Sequence, residues 1–113
     1  MSKNDAYYVR KAVDEIDCIL SYLDGMTFSE LRERPATFDG IVFRMIQMSE
    51  HLERVSLTFK EAHPSIEWFY IKGFRNRLVH AYGEVDFGFV ETVLYRDIPT
   101  LRERLTASID SIQ

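Results

Sequence analysis

Six side chains that can bind a phosphate or move a proton lie within eleven residues of one another, from position 72 to position 82. Lysine, arginine and tyrosine side chains can donate hydrogen bonds to phosphate oxygens, and an asparagine amide can donate or accept them. Histidine can also exchange a proton near neutral pH. No other stretch of the chain concentrates this chemistry. The six residues are Lys72, Arg75, Asn76, Arg77, His80 and Tyr82.

The reaction that suits this set is metal-independent cleavage of RNA. It needs a base that takes the proton of the ribose 2′-hydroxyl, cations near the charge of the phosphorane, and an acid at the leaving oxygen. His80 fits the role of base or acid, Arg75 fits bidentate binding of the phosphate, and Asn76 can orient either one. One chain offers a single histidine here, so a symmetric dimer that places two copies side by side would supply both proton-transfer groups.

A purely structural interpretation of the same residues stays open at this point. Residues five apart on a regular helix point about 140° from each other, so the spacing alone does not bring Arg75 and His80 together. Basic residues are common in the last turn of a helix because they oppose the negative end of its dipole. His80 and Tyr82 could then be ordinary polar groups at a helix end.

Length and composition predict one globular domain over residues 1–113, since 46% of the residues are hydrophobic and 28% are charged. The formal net charge of −4 disfavours a nonspecific nucleic-acid binder, so any contact with a polyanion must be local. The one cysteine, Cys18, cannot form an internal disulfide. With neither an apolar leader nor a run of about 20 apolar residues, we expect a cytoplasmic protein without a membrane partner.

The apolar spacing predicts helices throughout. A first helix, capped by Asn4 or Asp5, should end at Asp24–Gly25, and Thr27-x-x-Glu30 has the form of a capping box for a short helix. The first helix carries an apolar stripe of helical period, made of Val9, Val13, Ile16, Leu20 and Leu23.

After the interruption at Arg34–Pro35, Thr37 or Asp39 should cap a helix that runs to about Ala62. Ser65 should cap the next helix, which ends between positions 79 and 82 and holds Gly73 in its middle, where a close helix crossing would explain the glycine. A segment over 87–95 and a last helix with Pro99 in its first turn complete the chain, with Ile98–Pro99 as a break between them. The prediction is an all-α, up-and-down bundle of four main helices with one or two short extra helical segments.

The remaining polar and aromatic residues give weaker signals. His51 and His63 lack the spacing of zinc ligands, so we predict neither a metal nor a cofactor. Trp68 and Tyr70 could stack on bases, although packing against other helices explains them equally well. Lys72, Arg77 and Arg44 could line a path for RNA, with surface solvation as the alternative.

The run Arg75-Asn-Arg-Leu-Val-His80-Ala-Tyr82 resembles the Arg-x4-His-x-Tyr motif of the HepT toxins, a branch of the HEPN ribonuclease superfamily. The resemblance covers most of the chain. The leading helix with its acidic polar side, the run over 71–76, the Val85–Asp86 pair and the Ile-Pro-x-Leu segment over 98–101 are also similar.

The resemblance implies a helical bundle that dimerises with two motifs facing each other in a composite cleft. Arg75 and His80 match the catalytic pair, and Asn76 matches the polar residue that follows the arginine. Tyr82 matches the tyrosine to which the cognate minimal nucleotidyltransferase antitoxin adds AMP. The implied function is the toxin of a type II-like toxin–antitoxin pair that cuts RNA and is silenced by that modification. The alternative is a non-enzymatic helical subunit that docks on a nucleotidyltransferase.

Overall fold

The computed structural model of the protein describes residues 3–79 and 84–112, with side chains over 4–79 and 84–110. Three helices are long: α1 (Lys3–Leu23), α3 (Pro35–Glu53) and α8 (Ile98–Ile112). The short helices are α2 (Phe28–Arg32), α4 (Leu57–Ala62), α5 (Trp68–Ile71), α6 (Phe74–Leu78) and α7 (Phe87–Thr92), and a π-helical turn (Val93–Asp97) joins α7 to α8. The predicted all-α bundle is confirmed.

The core forms where α1 packs along α3 and α8. In α1 the residues Val9, Ile16 and Leu23 of the predicted stripe are buried, but Ile19 takes the inward position in place of Leu20, which is exposed. The bundle measures 43 × 30 × 19 Å, so its thin dimension holds about two layers of helices of about 10 Å each. Over the described residues, no helix has both the length and the apolar composition needed to cross a bilayer.

The first two helix boundaries follow the local sequence signals. Asp24 (φ 45°) and Gly25 (φ 72°) take the left-handed conformation that ends α1. In the capping box, the Thr27 hydroxyl accepts from the Glu30 backbone N–H at 3.2 Å, and the Glu30 carboxylate accepts from the Thr27 N–H at 3.0 Å. Both of these predictions are confirmed.

The start of α1 differs from the prediction. The helix already includes Lys3, so neither Asn4 nor Asp5 is its cap. Asp5 is instead buried and accepts two hydrogen bonds of 2.8 Å, from the backbone N–H and the hydroxyl of Ser56. These bonds tie the first turn of α1 to the start of α4.

The single helix predicted up to Ala62 is wrong at both ends. Helix α3 begins at Pro35, ahead of Thr37 and Asp39, and ends at Glu53. Residues 54–56 separate α3 from α4. Ser56 lies outside both helices, and its hydroxyl accepts from the Phe59 backbone N–H at 3.2 Å, which caps α4. A serine that can bond to the backbone locally competes with continuation of a helix.

The predicted break at Ile98–Pro99 is also absent, although Pro99 does lie in the first turn of α8 as expected. Proline has no N–H to offer the carbonyl four residues earlier, and its ring crowds that carbonyl. The chain accommodates this by widening the preceding turn, Val93–Asp97, into a π-helix rather than by ending the helix.

Candidate active site

The segment that carries the predicted site is two short helices rather than one continuous helix. Between α5 and α6 the chain leaves the helix at Lys72, which is extended, and turns at Gly73, where φ is +75°. A Cβ on Gly73 would meet nothing within 4 Å, so the glycine is needed for its left-handed backbone and not for a close helix crossing. Ser65 is not a cap either, since α5 begins after Glu67.

Helix α6 is held in place by apolar side chains. Phe74 and Leu78 are buried, and α6 packs against α3 and α7. Beyond it, Val79 pairs with Val85 as an isolated antiparallel bridge, and the Asp86 backbone N–H donates to the Leu78 carbonyl at 2.8 Å. These contacts fix the backbone of α6, and with it the position of Arg75.

Arg75 and Asn76 are exposed on α6. The Arg75 side chain is 70% exposed, and its one ion pair among the described residues joins its Nη1 to the Glu50 Oε1 at 3.8 Å. A pair this long and this exposed is weak, on the order of 0–1 kcal/mol. The guanidinium therefore keeps donors available for the paired oxygens of a phosphate.

Arg77 and Lys72, two of the predicted RNA contacts, lie in different surroundings. The Arg77 guanidinium lies 4.8 Å from the ring centroid of Tyr70 and 4.5 Å from that of Phe89, and its Nη1 donates to the Tyr70 carbonyl at 3.4 Å. Stacking on two rings holds Arg77 against its own subunit. Lys72 is exposed at the end of α5.

His80 and Tyr82, the predicted proton-transfer residue and modification site, lie outside the described residues. The structure therefore brings Arg75, Asn76, Arg77 and Lys72 onto one segment. The roles of all six residues remain predictions.

The aromatic residues of α5 are engaged in packing. The Trp68 indole N–H donates to the His63 carbonyl at 3.0 Å, and its ring packs edge-on against Phe59. The Tyr70 hydroxyl donates to the Asp97 carboxylate at 2.6 Å. Burial, reinforced by that hydrogen bond, raises the pKa of Tyr70 to about 12. Both rings thus serve the fold, which supports the packing interpretation over base stacking.

Arg44 belongs to a polar cluster between α1 and α3, here called the Glu15 cluster (Glu15, Tyr22, Arg44 and His51). Glu15 is buried and accepts from the Arg44 Nη1 at 2.8 Å, while its second oxygen lies 3.3 Å from the His51 Nε2. Arg44 also donates to the Tyr22 hydroxyl at 3.4 Å. The hydrogen bond to Glu15 raises the pKa of Arg44 most, and the hydrogen bond to Tyr22 raises it further. Arg44 is therefore a structural cation and does not extend an RNA path.

Two glutamates that the sequence did not single out as functional residues contact the candidate site. Glu50 pairs with Arg75 as described above, and the Glu53 Oε1 accepts from the Gly73 backbone N–H at 3.2 Å. We call these two bonds the α3–α6 contact. The sequence does carry one signal for them, because both carboxylates lie in the last turn of α3, where the helix dipole disfavours negative charge. Over the described residues, no three His, Cys, Asp or Glu side chains gather as metal ligands would.

Comparison with known proteins identifies relatives along most of the chain. A protein named "putative RNase" from Caldanaerobacter subterraneus is 21% identical over 98 residues, which cover 87% of this chain and 88% of that protein. The "probable ribonuclease HepT" of Thermococcus cleftensis is 24% identical over 102 residues, covering 90% of this chain and 93% of that protein. The "gamma-glutamylcyclotransferase and putative RNase" of Methanocaldococcus jannaschii is 23% identical over 112 residues, and the chain spans 50% of its length.

No solved structure matches the chain significantly. The model of one protein family, described as ribonuclease HepT-like, matches residues 12–107, which run from α1 to α8 and include the whole segment over 72–82. The chain belongs to the HepT-like ribonuclease family.

Proposed function

We propose that the protein is a metal-independent endoribonuclease whose site contains Arg75 and His80. In this reaction the ribose 2′-oxygen attacks the adjacent phosphorus while a base takes the 2′-hydroxyl proton. The bond from phosphorus to the 5′-oxygen then breaks, and an acid protonates that oxygen. The products are a 2′,3′-cyclic phosphate and a free 5′-hydroxyl.

The observation that carries this proposal is the exposed guanidinium of Arg75, in a chain of the HepT-like ribonuclease family. Buried Phe74 and Leu78 fix the backbone beneath it, and its only described ion pair is long and solvated. A fixed backbone with an available guanidinium is what stabilising the developing charge of a phosphorane requires. Asn76, exposed next to Arg75, is proposed to orient the phosphate or the imidazole.

The site is proposed to be composite, with one copy of the 72–82 segment from each subunit of a homodimer. Each chain supplies one His80, whereas base and acid are two tasks, and a two-fold axis brings two identical groups together. The dimer also places two Arg75 guanidiniums near one phosphodiester, which would offset the chain's net charge of −4 locally.

The wider role is proposed to be that of a toxin in a toxin–antitoxin pair. A nucleotidyltransferase antitoxin would add AMP to Tyr82, two residues beyond His80. The added phosphate would place a negative charge and a bulky group beside Arg75 and His80, so it would compete with RNA for the same cations.

The test is cleavage of RNA by the purified protein in the presence of EDTA. Wild type should cut RNA, and His80→Ala should lower the rate about 10²–10⁴-fold, the usual contribution of a general acid or base. Mass spectrometry must first show that Tyr82 carries no AMP, since a modified sample would be inactive for another reason. An unmodified wild type that does not cut RNA would contradict the enzyme and favour a subunit that only docks on a nucleotidyltransferase.

The composite site has its own test in the oligomeric state. Light scattering should give twice the mass of the 13.3 kDa chain at the concentration used for the cleavage assay. An active protein that remains a monomer under those conditions would contradict the composite site while leaving the ribonuclease proposal intact.

A further inference from the structure

We infer that Glu50 and Glu53, in the last turn of α3, are positioning residues for Arg75 in RNA cleavage. This inference rests on the proposed function, because it concerns how the proposed phosphate-binding arginine is held. Both glutamates reach the 73–75 stretch across the packed interface of α3 and α6.

Glu53 acts on the backbone. Its carboxylate accepts from the Gly73 N–H at 3.2 Å, at the residue whose left-handed conformation separates α5 from α6. Both Asn76 and Arg77 donate their own backbone N–H groups to the Gly73 carbonyl, so Gly73 starts the turn that carries Arg75. Glu53 thereby fixes the direction in which α6 leaves the turn.

Glu50 acts on the side chain. Its Oε1 lies 3.8 Å from the Arg75 Nη1, which draws the guanidinium toward α3 without occupying all five of its donors. The glutamate also offsets part of the positive charge of Arg75 before RNA binds. Removing Glu50 should therefore leave Arg75 free to bind phosphate but without a fixed orientation.

The location of the two carboxylates supports a role outside α3 itself. They lie three residues apart, so they repel each other on one face of the helix, and they oppose the dipole at its C-terminal end. Each effect is locally unfavourable. The partners that compensate for them are on the 73–75 stretch, which is the stretch that the proposed reaction must hold still.

The first test separates the effects on kcat and KM. In Glu50→Ala we expect kcat to fall about 3- to 10-fold and KM to fall about 2- to 3-fold, because the freed arginine binds phosphate more tightly but in more orientations. In Glu53→Ala we expect kcat to fall about 10-fold with KM within about twofold, and Glu53→Gln, which keeps an acceptor oxygen, should recover most of that loss. Glu103→Gln, an exposed glutamate on α8, is the matched control and should behave as wild type.

The second test does not depend on activity. Hydrogen exchange at the Gly73 amide should be about 10-fold faster in Glu53→Ala than in wild type, and near wild type in Glu53→Gln and Glu103→Gln. Exchange at the Leu78 amide, inside α6, reports whether the helix itself has opened, and it should stay unchanged. Equal Gly73 exchange in wild type and Glu53→Ala would overturn the role of Glu53.

The outcomes distinguish this inference from the proposed function. An active wild type with unchanged kcat and KM in both alanine variants overturns the positioning role alone. An inactive, unmodified wild type overturns the ribonuclease, and the positioning role falls with it, even if the Gly73 amide responds as expected. A fall in kcat that comes with a lower melting temperature and an unchanged KM in Glu50→Ala would indicate only lost folded protein, and would also overturn the inference.

Discussion

Helix α3 carries two sets of charged contacts, and they differ in burial and length. In the Glu15 cluster the carboxylate side chain is 12% exposed and bonds to Arg44 at 2.8 Å and to His51 at 3.3 Å. In the α3–α6 contact the Glu50 and Arg75 side chains are 40% and 70% exposed and lie 3.8 Å apart. The first set joins two long helices, whereas the second joins a long helix to a short one that bears the candidate site.

This contrast indicates which arginine is available to bind a substrate. An arginine whose carboxylate partner is buried and close would leave that partner unpaired if it moved to a ligand. An arginine held by one long, solvated contact keeps other donors free and can bind a phosphate at little cost. Arg44 and Arg75 have the same side chain, but only Arg75 can bind a phosphate without leaving a buried carboxylate unpaired. Experiments on the two arginines and their partners can test that contrast.

The largest expected effect is on RNA cleavage by Arg75→Ala. Loss of a donor to the developing charge should lower kcat about 10²–10³-fold. The melting temperature should stay close to that of wild type, since the Arg75 side chain is 70% exposed. Arg10→Ala, at an exposed position on α1, is the matched control for removing a surface arginine. Retained activity in Arg75→Ala would mean that the exposed guanidinium takes no part in RNA cleavage.

The next effect is on stability, in Glu15→Ala. Removing a buried carboxylate that accepts from Arg44 and His51 should lower the free energy of unfolding by about 2 kcal/mol. The matched change in the α3–α6 contact, Glu50→Ala, should cost less than about 0.5 kcal/mol because that pair is solvated. Urea denaturation of the two variants beside wild type measures both. Equal losses would mean that exposure does not distinguish the two sets.

A smaller effect is expected at the turn that separates the two helices of the site. Gly73→Ala should lower the free energy of unfolding by about 1 kcal/mol, because a Cβ disfavours φ of +75° even where the space is open. Gly73→Asn should lose less, since asparagine tolerates this conformation. Gly88→Ala in α7 is the control, where a Cβ would meet Asp86 at an ordinary 3.6 Å, and it should be neutral or stabilising. Urea denaturation resolves the opposite signs.

The smallest effect concerns Tyr70, which joins the site segment to the π-helical turn through Asp97. Its pKa is raised to about 12 in the folded protein, against about 10 unfolded, so its contribution to stability is fully present below pH 10 and is lost as pH rises to about 12. Partial exposure limits the change to roughly 1 kcal/mol. Comparing wild type with Tyr70→Phe by urea denaturation at several alkaline pH values should show a steeper loss in wild type. Parallel curves would mean that the hydroxyl titrates normally.

Local signals in the sequence predicted the parts of the fold that local physics decides. The Thr27–Glu30 capping box and the glycine stop after α1 depend on neighbours within a few residues, and both are confirmed. The helix after Ser65 was predicted as continuous because apolar residues recur there at steps of three and four: Ile66, Phe69, Tyr70, Phe74 and Leu78. Nothing in that period reveals that Gly73 takes a positive φ, which tertiary contacts select.

The sequence predicted the residue types of the candidate site but not the contacts that hold them in place. The chemistry of Arg75 follows from its side chain, and its exposure agrees with an available guanidinium. The partners on α3 are 20 and 25 residues away in sequence, so only the packing of α6 against α3 brings them to Gly73 and Arg75. The same limit applies to Asp5, read as a helix cap but bonded to Ser56, 51 residues along the chain.

The π-helical turn before Pro99 holds about one residue more than a regular turn of α-helix over the same stretch. Deleting one residue from Val93–Asp97 would therefore let the turn close into a regular α-helix while α8 keeps its direction. Leu105 and Ser108 would stay buried, and the cost would be crowding between Pro99 and the carbonyl four residues before it. A deletion inside α8 has no wide turn to absorb it, and it would rotate the rest of the helix by about 100°. The π-helical turn is therefore the part of this helix where the loss of one residue should be tolerated best.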